Sequence, residues 1–70
     1  MQAGTVKFFH DKKGWGFIER PSASDVFVYY ADIQGSGHRT LIKGESVQFE
    51  VIPGPKGDKA VNVVRLVTVP

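Results

Sequence analysis

Turn-forming residues interrupt this chain so often that no long helix fits between them. Asp11-Lys12-Lys13-Gly14, Pro21-Ser22-Ala23-Ser24 and Gly54-Pro55-Lys56-Gly57-Asp58 are built from the Gly, Pro, Asp and Ser residues that turns require. The pieces left between them are rich in Val, Ile and aromatic residues, which favour strands over helices. Five strands are predicted: 2–10 (QAGTVKFFH), 15–20 (WGFIER), 25–30 (DVFVYY), 46–53 (SVQFEVIP) and 59–69 (KAVNVVRLVTV). The stretch 31–45 is expected to open with one short helical turn and to continue as a Gly-rich loop.

Seventy residues cannot furnish two full sheets, and an open sheet of five strands would leave long unpaired edges. Closure is the economical solution, so the expected fold is all-β, a five-stranded antiparallel OB-type barrel forming a single domain over residues 1–70. With no Cys, the chain has no disulfide framework, thiolate metal site or cysteine nucleophile. It carries no apolar run of signal-peptide or membrane-span length, which makes a cytoplasmic, non-membrane protein the expectation. Nothing in the pattern demands a partner copy, so a monomer is expected.

Two-residue alternation assigns the strand faces. On 15–20, Trp15, Phe17 and Glu19 share one side and Gly16, Ile18 and Arg20 the other; on 25–30, Asp25, Phe27 and Tyr29 oppose Val26, Val28 and Tyr30. Ile18, Val26 and Val28 are compact and match Val6, Val47, Val51, Val61, Val63 and Phe49 elsewhere, a set suited to filling a small barrel. The opposite side carries the charges Glu19 and Asp25, which are rarely buried without partners, so it faces water. Of the eight aromatics, all but Phe49 lie between positions 8 and 30. Trp15, Phe17, Phe27 and Tyr29 would then form an exposed ring surface above the few hundred Å² that usually marks an interaction site. Lys7, Lys12, Lys13, Arg39, Lys56 and Lys59 lie near it in sequence or in adjoining loops. Rings stack on the faces of unpaired bases and cations follow phosphates, which points to single-stranded nucleic acid. The alternative is that the same aromatics form the core.

Lys13-Gly14-Trp15-Gly16-Phe17-Ile18-Glu19-Arg20 follows the RNP1 pattern K/R-G-F/Y-G/A-F-V-x-F/Y closely, with Arg20 where the last aromatic would stand. Val26-Phe27-Val28-Tyr29-Tyr30 is similar to an RNP2 strand. Together with Gly4-Thr5-Val6-Lys7-Phe8-Phe9, DVFVYYADIQG at 25–35 and Ala60-Val61-Asn62-Val63, these blocks resemble the cold-shock domain proteins over almost the whole chain. The resemblance implies an OB-type barrel that binds single-stranded RNA and DNA along its first three strands; separately, no cofactor and no metal are expected. By matching position it implies stacking by Phe8, Trp15, Phe17, Phe27, Tyr29, Tyr30 and His38, phosphate and base contacts by Lys7 and Lys13, a polar base contact by Asp25, and peripheral contacts by Phe9, His10, Arg39 and Lys56. The chain departs from the common family pattern with Phe8 for Trp, Trp15 for Phe, Tyr29 for His and His38 for Phe.

Some residues keep two readings. Asp25 either meets a base edge or caps the turn at Ser22-Ala23-Ser24. Gly16 either admits a ligand or relieves crowding at a bend, the latter being commoner for a strand Gly. Tyr30 points inward by parity, so only a bulge or the end of the strand would turn it out. His10 and His38 stand apart from any acidic or Cys partner at metal spacing. No carboxylate pair, Ser/His/Asp set or phosphate loop supports catalysis, and the expectation is a binding protein, not an enzyme. Its rival is a protein-docking surface.

Overall fold

The computed structural model describes residues 1–21, 23–34, 40–55 and 57–66. Five strands, β1 (Gln2–His10), β2 (Trp15–Arg20), β3 (Ala23–Tyr29), β4 (Ser46–Gly54) and β5 (Gly57–Arg65), are joined by one 3-10 turn, η1 (Tyr30–Asp32). They close into a barrel in the order β1-β2-β3-β5-β4. The antiparallel expectation holds at four seams, and the closing seam is parallel, pairing Phe27 with Lys59 and Val28 with Ala60.

Strand limits follow the local chemistry. β3 starts at Ala23, two residues earlier than expected, because Ala23 pairs with Arg20 across the tight turn. β5 starts at Gly57, whose φ of 113° closes the hairpin opposite Gly54. Tyr30 leaves β3 altogether: its N–H donates to the Gly14 carbonyl at 2.8 Å, and its own carbonyl accepts from Ile33 at 3.2 Å to close the 3-10 turn.

Among the described residues the fully buried side chains are apolar. Val6, Ile18, Val26, Val28, Val47, Phe49, Ala60 and Val63 are buried, joined by Ile33 and Leu41 from the connection between β3 and β4. Burying each large aliphatic or aromatic side chain is worth about 1.5–3 kcal/mol, the main source of stability in a barrel this small. Val61, expected inside, is only half-buried, and Ala60 takes the interior position. The cause is Asn62, whose φ of 52° is the left-handed conformation; the strand slips its pairing with β4 between Gln48 and Glu50, and strict alternation fails there.

Candidate nucleic-acid interface

Three neighbouring strands place their outward rings in two transverse rows. Phe8 of β1 pairs with Phe17 of β2, which pairs with Phe27 of β3; one step along, His10 pairs with Trp15, which pairs with Tyr29. Residues directly opposite across a ladder lie about 4.5–5.5 Å apart, so each row is continuous. Ring centroids show contact along the first row, Phe8–Phe17 at 5.6 Å and Phe17–Phe27 at 5.8 Å, in the second between His10 and Trp15 at 5.4 Å, and from row to row between Trp15 and Phe27, stacked at 6.1 Å. Tyr30 extends the grid past the end of β3, its ring 4.8 Å from Tyr29 and 45% exposed. The strand's end is therefore what turns Tyr30 outward.

Backbone irregularities make this arrangement possible. β1 shifts register between Val6 and Phe8, so Val6 is buried while Lys7 and Phe8 both reach solvent. Phe9 then falls inside and packs against the core, away from the ring grid where a peripheral contact was expected. Gly16 is crowded from below: a Cβ there would lie 2.2 Å from the Phe8 carbonyl and 2.8 Å from Phe9 Cα. Close approach of β1, rather than of a ligand, explains this Gly. At Gly14, with φ of 76°, a Cβ would strike the Tyr30 ring at 2.7 Å, so the turn residue also seats that ring.

Among the described residues, charge is sparse around the rings. Lys7 Nζ donates to Asp25 Oδ2 at 3.0 Å, and this hydrogen bond and ion pair hold the exposed ammonium above its ordinary pKa, with a smaller push from Glu19. Asp25 thus engages Lys7. Lys12 and Lys13 are exposed in the turn between β1 and β2. Lys59 Nζ lies 3.1 Å from Asp32 Oδ2, which ties β5 to η1. Arg20, expected on the inner side, has its side chain only 10% exposed, with Nε on the Ser24 carbonyl at 2.7 Å and Nη2 near Asp58 Oδ2 at 3.4 Å. His38, Arg39 and Lys56 lie outside the described residues.

The model of the "Cold-shock" DNA-binding domain matches residues 2–66. This chain belongs to the cold-shock domain family. It is 52% identical to the cold shock protein CspB of Bacillus caldolyticus and 50% identical to that of Geobacillus stearothermophilus. It is 47% identical to the cold shock protein CspD of Bacillus subtilis. Each comparison runs over 66 residues, covering 94% of this chain and 100% of the relative.

In this cold-shock domain the structure brings Lys7, Phe8, His10, Trp15, Phe17, Asp25, Phe27, Tyr29 and Tyr30 to one side. His10 is a full member of a row, not a peripheral residue; its pairing with Trp15 across a four-residue turn is the signal that would have placed it. Asp58 also borders this surface beside Phe17 and Phe27, a position that depends on the β3–β5 seam and that no local pattern foretells. Among the described residues no group of three or more His, Asp or Glu is arranged to hold a metal ion. None of their helices is long and apolar enough to cross a membrane.

Proposed function

We propose that the ring surface binds single-stranded RNA and DNA and that the protein acts as a cytoplasmic, monomeric RNA chaperone. The observation that carries this reading is the pair of ring rows, Phe8-Phe17-Phe27 and His10-Trp15-Tyr29, spanning three strands. Unstacked bases can lie on such a surface, whereas a duplex hides their faces. Stacking is worth about 1–3 kcal/mol per base, so a few bases offset the ordering of the strand and reach micromolar affinity or better. Binding of this kind favours unpaired over hairpin states through mass action, without ATP.

Trp15 is the only Trp and sits in the middle of its row, so its fluorescence reports occupancy. Titration with short single-stranded oligonucleotides is expected to quench it, with weaker binding to the matching duplex. A fluorophore-labelled RNA hairpin should open at lower temperature in the presence of protein. Unchanged fluorescence and no mobility shift at about 50 µM strand, a concentration well above a micromolar Kd, would overturn the reading and favour a protein-docking surface. Tighter binding to duplex would contradict the stacking mechanism.

A further inference from the structure

Among the described residues Asn62 is the one non-glycine with a positive φ, 52°. A side chain in the left-handed region strains the backbone and persists only where its surroundings over-determine it. Two hydrogen bonds do so here. Asn62 Nδ2 donates to Glu50 Oε1 of β4 at 2.7 Å, and Asn62 Oδ1 accepts from Gln34 Nε2 at 3.0 Å. The barrel has no need of the second bond, because β4 and β5 pair on either side of Asn62. Both amides are exposed, so the contact buries little. What it fixes is Gln34.

Gln34 ends a strap, residues 30–34, that begins in the ring surface at Tyr30 and finishes on β5. The near end is held by the Tyr30 N–H, which donates to the Gly14 carbonyl at 2.8 Å, with the ring seated over Gly14. The Ile33 N–H donates to the Tyr30 carbonyl at 3.2 Å, so the strap is a single tight turn and moves as one piece. At the far end Ile33 bridges Val63, where the Gln34 N–H donates to the Val63 carbonyl at 2.7 Å.

One bridge fixes a point and leaves the turn free to roll about it. Rolling would tilt the Tyr30 ring against Tyr29, whose centroid is 4.8 Å away. The ion pair of Lys59 with Asp32 resists this weakly, since a lysine arm is long and flexible. The Gln34–Asn62 bond resists it well, because the Asn62 amide is itself immobilised on Glu50. We propose that Asn62 is a positioning residue for single-strand binding, acting through Gln34 to set the orientation of the strap and so of the Tyr30 ring. The proposal rests on the single-strand reading above and extends it to a residue of β5 that lies in neither ring row.

The test is a double-mutant cycle read by Trp15 fluorescence on a single strand of about seven nucleotides, within the range one OB-type domain covers. Tyr30→Ala should weaken binding about tenfold, the scale of one stacked base. Gln34→Ala and Asn62→Gly should each weaken it about threefold, and neither should weaken it further in the Tyr30→Ala background. Glycine keeps the left-handed backbone without strain and removes only the amide. Asn62→Ala keeps the strain, so it should melt below Asn62→Gly while binding the strand equally well. In the free protein, Gln34→Ala should shift the Tyr30 ring signals in the NMR spectrum and leave those of Phe8 in place. Wild-type affinity in Gln34→Ala overturns the proposal alone. So do losses that add in full to that of Tyr30→Ala, or that follow Tm across the three variants. Failure of the wild type to bind any strand brings down the single-strand reading and this proposal with it.

Discussion

Phe17 and Phe27 are half-buried beside a fully buried Val26, and this contrast separates binding from stability. Phe17→Ala or Phe27→Ala should weaken oligonucleotide binding by about 1–3 kcal/mol with a small change in Tm, as measured by fluorescence titration and thermal melting. Val26→Ala should do the reverse. It removes two buried methyl equivalents and leaves a small void, costing about 2 kcal/mol of folding free energy. Lys7 makes a second residue-scale test. Its pKa is raised above 10.5 by the Asp25 hydrogen bond and charge, so the pair's contribution is fully present below that value and fades as pH rises through the raised one. The Tm difference between wild type and Lys7→Met should therefore close on alkaline titration, and should stay constant from about pH 9 to about pH 6. At this scale the sequence was informative about faces, since charged neighbours betray an exposed side. It was silent about Lys7 and Asp25 as partners, because the contact joins residues eighteen positions apart across two turns and a strand.

Strands were legible from alternation, and the places where alternation breaks were not. A bulge shifts parity by one residue without changing composition, so Val61 and Ala60 exchange roles at Asn62. Asn62 stabilises its left-handed backbone by donating to Glu50 at 2.7 Å and accepting from Gln34 at 3.0 Å, contacts that only the folded barrel supplies. Ile33 and Leu41 were missed for a similar reason: they lie in a stretch with no strand periodicity and reach the core through the path of the connection. Gly16 gives the element-scale prediction. Gly16→Ala forces a methyl group into the β1 backbone and should cost about 3 kcal/mol or more, measured by urea denaturation, because backbone at 2.2 Å cannot move aside as a flexible side chain would. Binding should fall in parallel, since the two ring rows depend on β1 and β2 keeping their register.

For the molecule as a whole, size and charge set the behaviour. A chain of 70 residues holds roughly 4–10 kcal/mol of net stability, so a single core substitution consumes a large share of it. The net charge of +2 and the engagement of Lys7 and Lys59 with carboxylates leave few cations for phosphates. The log–log dependence of affinity on salt should accordingly be shallow, with a slope magnitude of roughly 1–3 for contact with a few phosphates, at about 0.7 for each. A much steeper slope would mean that charge, not stacking, dominates. The closed topology was legible from length and strand number, whereas the parallel β3–β5 seam was not, because pairing between distant strands leaves no local trace. The place of Asp58 beside Phe17 and Phe27 was hidden with it. Along β2 and β3 the residues that hold the barrel and those that form the ring surface alternate, inner and outer, on the same backbone. The two sets are thus free to diverge at different rates: a lineage can exchange rings on the outer positions and retune what it binds, while the inner positions go on specifying the same fold.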